Sequence, residues 1–189
     1  MIVMNDLFAK YFLENLQDCK HSKKIAQKFI SLYAKKIRLS YIENDKSKVY
    51  FNANVHKSRG TKQNKNLILE KSAFEDMTSL EVFCNSVHLE EYHKSIKITS
   101  KNAMSVAFYV VVELGDFLKK KFPTFQFCVI ASVQTDWDIE EKPNPPFCLT
   151  NRVNVRFFSH RDDDLPYLSW EDSPYEIVIY NCTIIEKKV

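Results

Sequence analysis

Residues Thr99–Lys121 read TSKNAMSVAFYVVVELGDFLKKK. Between the polar ends lie Ala103, Met104, Val106, Ala107, Phe108, Tyr109, Val110, Val111, Val112, Leu114, Phe117 and Leu118, which are apolar on nearly every face of a helix rather than along one stripe. A helix of that kind belongs in an interior. Ser100 is placed to cap its first amides, Lys119, Lys120 and Lys121 suit the negative end of its dipole, and Pro123 stops it. The apolar run of about 16 residues is too short for a bilayer span, which needs ~20, and it ends among Glu113 and Asp116. It is a core helix that a sheet must cover.

The chain downstream supplies that sheet. Phe125–Gln134, Arg152–Phe158 and Tyr175–Ile185 read as strands, and the first and last are apolar on both faces, as in the middle of a covered sheet. Upstream, Asn5 or Asp6 caps a first helix with Leu7, Phe8, Tyr11, Phe12 and Leu16 at helical spacing, ending near Cys19. Ser22 opens a second, with Ile25, Ala26, Phe29, Ile30, Leu32 and Tyr33 inward and Lys23, Lys24, Lys28, Lys35 and Lys36 outward. The two form a helical hairpin. Period-two alternation through Ile37, Leu39 and Tyr41, then Val49, Phe51, Ala53 and Val55, predicts a β-hairpin turning at Glu43–Lys46. His56–Lys65 reads as a basic loop, Leu67–Leu69 as a short strand, and Glu75–His93 as a helix whose apolar set is Leu80, Val82, Phe83, Val87 and Leu89. The expected fold is α+β: a mixed or mainly antiparallel sheet packed on the buried central helix and the N-terminal helical hairpin. At 189 residues this fits a single domain, residues 1–189.

Composition narrows the chemistry. Gly60 and Gly115 are the sole glycines, which excludes a phosphate-cradling loop built on several of them. Five widely spaced cysteines, Cys19, Cys84, Cys128, Cys148 and Cys182, suit reduced, buried thiols, and Met1–Lys10 lacks a basic segment followed by a long apolar run. The expectation is a cytoplasmic protein. Charge is unevenly placed: Met1–Lys71 holds 15 Lys/Arg against 6 Asp/Glu, a net +9, whereas Asp136–Glu176 holds 4 against 10, a net −6. Such asymmetry steers charged partners to one surface.

Two long segments between the late strands concentrate this negative charge. One carries Asp136, Trp137, Asp138, Glu140 and Glu141; the other carries Asp162, Asp163 and Asp164, then Trp170, Glu171 and Asp172. Both tryptophans of the chain are here. An aromatic anchor ringed by carboxylates suits recognition of a basic protein, the ring giving contact area at low entropy cost and the charges giving steering. The plain alternative is a pair of solvated loops. A non-enzymatic binder follows as the leading expectation, of the inhibitor, immunity-protein or antitoxin type, masking a basic partner such as a nuclease toxin.

A second reading gives Asp136, Asp138 and Glu140, with Lys142, to a divalent metal in a nuclease or phosphoesterase. An up-down-up meander of the late strands would send the two acidic segments to opposite ends of the sheet and argue against it. A third reading is a nucleic-acid accessory protein using Lys23, Lys24, Lys28, Arg59, Lys62 and Lys65. Cys84 and His88, four apart on the predicted helix, share a face, but His88 and His93 are five apart and turn away from each other, unlike the histidines of a zinc-protease helix. No cofactor, resident metal or catalytic set is expected, and no membrane partner.

Overall fold

The structure is a computed structural model that describes residues 2–4, 19–42, 45–53, 77–135, 149–161 and 176–182. In chain order these form β1 (Ile2–Met4), α1 (Cys19–Tyr33), a 3-10 turn (Ala34–Lys36), β2 (Arg38–Ile42), β3 (Asp45–Asn52), α2 (Met77–Asn85), β4 (Val87–His88), α3 (Leu89–Tyr92), α4 (Ala103–Lys121), β5 (Phe127–Thr135), β6 (Leu149–Ser159) and β7 (Glu176–Cys182). The architecture is α+β. A five-stranded sheet in the order β1-β7-β5-β6-β4 is antiparallel at every pairing, and β2 and β3 make a separate antiparallel hairpin.

α4 is the buried helix, with Ala103, Met104, Val106, Ala107, Val110, Val111, Leu114 and Leu118 in the core. Its cap differs from expectation. Asn102, not Ser100, precedes the first helical residue; its side chain makes no bond to the helix amides, and its Oδ1 instead accepts from the Thr99 amide at 2.8 Å. On β5, Phe127, Val129, Ala131 and Val133 join that core. Cys128, Ile130 and Ser132, which alternate with them, are buried as well. A strand covered on both faces explains why this segment has no polar alternation.

α1 runs beside α4 in the same direction. Cys19 hydrogen-bonds Tyr109, Gln27 donates to Glu113 at 3.3 Å, and Lys121 Nζ donates to the Ile37 carbonyl at 3.3 Å, so contacts climb both chains together. Its buried face is Ser22, Ile25, Ala26, Phe29 and Tyr33. The first helix of the predicted hairpin lies outside the described residues, as do the expected 56–65 loop and the 67–69 strand.

The structure corrects three expectations and adds one strand. The predicted 75–93 helix breaks after Asn85, where Val87 and His88 pair with Val155 and Asn154 of β6. Cys84 and His88 therefore sit on different elements and share no helix face. Phe83, expected inward, is exposed. Ile2–Met4 form a strand against β7, where the sequence offers too few residues for alternation to register. Cys128 is disulfide-bonded rather than reduced, and the residue opposite it in the β5–β7 register is Cys182. Strand neighbours far apart in sequence bring cysteines face to face, and their spacing along the chain cannot show it.

The late strands are also not an up-down-up meander. β5 lies between β6 and β7 and is antiparallel to both, so the chain leaving β6 crosses past β5 to enter β7. Thr135 pairs with Leu149 and Gln134 with Glu176, which puts the end of β5 and the starts of β6 and β7 at one end of the sheet. Phe127 pairs with Ser159 at the other.

Candidate functional site

On α2, Thr78, Glu81 and Asn85 recur at i, i+3 and i+7 and so share one face. All three are buried. The helix turns its polar stripe inward because that stripe meets strand edges, whose backbone groups need partners that an apolar side chain cannot give. Glu81 Oε1 accepts from the Phe51 amide of β3 at 2.8 Å and from Arg161 Nη2 at 2.6 Å. Its Oε2 accepts from the Ser159 amide of β6, and the Ser159 hydroxyl donates to the same carboxylate. Arg161 Nη1 donates to the Ser159 carbonyl at 3.2 Å.

One helical turn on, Asn85 repeats the arrangement with neutral groups. Its Oδ1 accepts from the Ala53 amide at 2.9 Å, and its Nδ2 donates to the carbonyls of Phe51 and Phe157 at 3.0 and 3.2 Å. Tyr33 of α1 donates its hydroxyl to the Asn85 carbonyl at 2.9 Å. Further along the same edge, Glu90 of α3 accepts from the Val153 amide at 3.1 Å. Side chains of α2 and α3 thus stand in for a neighbour strand on either side of the two-residue β4 and close the outer edge of β6, which would otherwise be open to pairing with another chain.

The electrostatics fit a clasp rather than a reactive centre. Burial pushes the Glu81 carboxyl above its usual range, against the opposing pull of Arg161 and the amides of Ser159 and Phe51. Burial also raises the Cys84 thiol to about 11, with the nearby Glu81 charge adding to it, so this thiol is protonated at neutral pH and not a ready nucleophile. Tyr33 is held neutral by its burial, with Tyr92 and Cys84 adding to the rise. Both Glu81 oxygens are taken up by structural donors and have no position left for a substrate. Among the described residues no three His, Cys, Asp or Glu side chains gather as a metal site would require.

Arg161 ties this clasp to the acidic segments, since Asp162 is the next residue. The clasp fixes Arg161, the last described residue before residues 162–175. Asp136, Trp137, Asp138, Glu140 and Glu141, Asp162, Asp163 and Asp164, and Trp170, Glu171 and Asp172 all lie outside the described residues, as do Lys142, Arg59, Lys62 and Lys65. Lys23, Lys24 and Lys28 lie exposed on α1, where Lys23 Nζ is 3.8 Å from Glu113.

A family model described as "Uncharacterized protein PM0498 family" matches residues 4–185. The chain belongs to that family. The match to the PM0498 family takes in the Glu81–Arg161 clasp, both acidic segments and every described element from α1 to β7. No curated protein and no solved structure matches the chain.

Sequence reasoning missed Glu81, Asn85 and Ser159. A signal for the first two exists in Thr78, Glu81 and Asn85 at i, i+3 and i+7, but such a stripe ordinarily marks the solvent face. Only the neighbouring strand edges give it an inward meaning.

Proposed function

We propose that this is a non-enzymatic binding protein that masks a basic macromolecular partner, in the manner of an inhibitor, immunity protein or antitoxin, through its acidic tryptophan-bearing segments. The observation that carries this reading is the shared strand end. Thr135 pairs with Leu149 and Gln134 with Glu176, so residues 136–148 and the last residues before 176 are rooted side by side. At no more than ~3.6 Å per residue, Asp136, Trp137, Asp138 and Asp172 are each held within about 15 Å of that end. A combined acidic patch of this kind offers carboxylates where a basic partner, a nuclease toxin among them, would otherwise hold phosphates.

The test is affinity capture at low salt from the producing cells, followed by binding of the recovered partner to two charge-neutralised proteins. Changing Asp136, Asp138, Glu171 and Asp172 to their amides is expected to weaken binding and flatten its salt dependence without lowering the melting temperature. Changing Asp162, Asp163 and Asp164 to alanine tests the root at the opposite end of the sheet. Unchanged affinity in both proteins overturns the reading. A cytoplasmic location belongs to it; the Cys128 disulfide counts against a reducing compartment. No helix among the described residues is long and apolar enough to cross a membrane.

The same strand-end observation favours a second reading. Because the crossover replaces the meander, Asp136, Asp138 and Glu140 share their end of the sheet with the approach to β7, which removes the topological objection to a metal held from two segments. A metal-dependent nuclease or phosphoesterase predicts a rise in melting temperature with millimolar Mg²⁺ or Mn²⁺. No shift argues against it.

A further inference from the structure

The C-terminal ends of α1 and α4 lie together. Since the two helices run the same way, the chain beyond each one emerges on the same side, and the 3.3 Å contact from Lys121 Nζ to the Ile37 carbonyl ties those ends directly. Lys35, Lys36 and Arg38 follow α1 and Lys119, Lys120 and Lys121 finish α4, and all six are exposed. Each helix also points the negative end of its dipole here, which helps hold cations at this spot. Lys36 caps the Tyr92 ring at 4.5 Å, and Lys121 lies 5.4 and 5.1 Å from the rings of Phe117 and Phe122, which orients these two side chains.

A row of cations leads into the cluster. Lys20, Lys24 and Lys28 are exposed at four-residue intervals on α1, so they rise about 6 Å apart within roughly 80° of its circumference. Among the described residues, no ion pair engages any of these three, nor Lys35, Lys119 or Lys120. The acids nearby on α4 are Glu113, which faces Lys23 and Gln27, and Asp116. Among the described residues the cations outnumber the acids along this ridge and at its end, and side chains already ordered on aromatic rings border it.

We infer that Lys20, Lys24, Lys28, Lys35, Lys119 and Lys120 form a track that holds the phosphate backbone of a nucleic acid without reading its bases. Spaced ammonium groups match a line of phosphates as point charges, whereas base readout needs planar donors or free stacking rings, and Tyr92, Phe117 and Phe122 are partly covered. An anionic bilayer fits less well. Membrane-surface elements set an apolar face into the acyl boundary, and the large hydrophobic residue exposed among the described ones is Phe83, on α2. The track is made of residues other than those of the acidic segments and stands whether or not those bind a protein.

The experiment is fluorescence anisotropy of the full chain with a labelled duplex oligonucleotide, repeated with a single strand, over a salt series starting near 50 mM. Lys35, Lys119 and Lys120 are changed together to glutamine; the comparison protein carries glutamine at Lys94, Lys97 and Lys101, equal in charge change and at the start of α4 instead of its end. Wild type is expected to bind, with affinity falling steeply as salt rises. The first variant should bind the duplex roughly tenfold or more weakly, with a salt slope shallower by about 2 to 3, while the second stays within about twofold of wild type. Matching melting temperatures establish that both variants are folded. The inference is overturned by wild type that fails to bind at the lowest salt, by equal losses in the two variants, or by binding to phosphatidylserine vesicles in the absence of any binding to oligonucleotide.

Discussion

α4 and α2 both pack on the main sheet, and they do so by different physics. α4 lies against the sheet's face, with Val110, Val111, Leu114 and Leu118 in one apolar cluster with Val129, Ala131 and Phe157. α2 lies against an edge and engages it through Glu81 and Asn85, whose side chains satisfy the amides of Phe51, Ala53 and Ser159. The first contact needs only bulk and shape. The second needs defined atoms in defined places, and a strand edge is where a helix can supply them.

Glu81→Ala breaks the comparison at its sharpest point and carries the largest expected effect. It strands the Phe51 and Ser159 amides and takes the carboxylate away from Arg161, at a cost of about 3 to 5 kcal/mol by analogy with buried pairs that lose one member. Leu114→Ala on the other helix is expected to cost about 2 to 5 kcal/mol through lost burial and a cavity. Urea unfolding of both distinguishes them when Arg161→Ala is added. The second change should add little to Glu81→Ala, because the stranded cation goes with it, but should add its full cost to Leu114→Ala. Simple additivity in the first case would show that Arg161 does not act through Glu81.

This contrast also explains what the sequence could show. Apolar runs report burial directly, so the all-round pattern of 103–118 and the two-faced pattern of 127–133 were legible, and with them the α+β class. Glu81 and Asn85 are polar residues whose inward turn depends on Phe51 and Ser159, residues 30 and 78 positions from Glu81. No local window contains those partners. The crossover from β6 to β7 escaped for a similar reason, since three strands in succession suggest a meander and only the pairing of Gln134 with Glu176 reveals otherwise. Of the candidate site, the acidic and tryptophan content was readable and its rooting on the sheet was not.

The third face of the comparison is covalent. Cys128 sits on the side of β5 that alternates with the α4-facing residues, and its bridge adds a constraint that neither packing nor hydrogen bonding provides. Mass spectrometry of unreduced digests is expected to find it joined to Cys182, and Cys128→Ser to cost about 2 to 4 kcal/mol. A linear peptide at Cys128 would remove this element.

The smallest effect is on pH dependence. Burial raises the Glu81 carboxyl, against the pull of Arg161 and the Ser159 and Phe51 amides, so it takes up a proton more readily in the folded chain than in the unfolded one. The stability this gives is fully present below the unfolded carboxyl range, near 4.3, and is lost as pH rises through the higher folded value. Melting temperature followed upward from about pH 4 should therefore decline more in wild type than in Glu81→Gln, whose amide does not titrate although it misplaces a donor and lowers stability throughout. Parallel profiles would show that Glu81 titrates normally.

The pairing of β1 with β7 joins residues 2–4 to residues 179–181. During synthesis, at 5 to 20 residues per second, the first strand thus waits roughly 9 to 35 s for its neighbour to be made. Throughout that interval the helices and the hairpin can form from nearby contacts, but the five-stranded sheet cannot close. Closure of this sheet consequently follows translation of the chain through β7, and nascent molecules halted before β7 would carry β1 and one edge of β5 unpaired, ready to meet each other's strands.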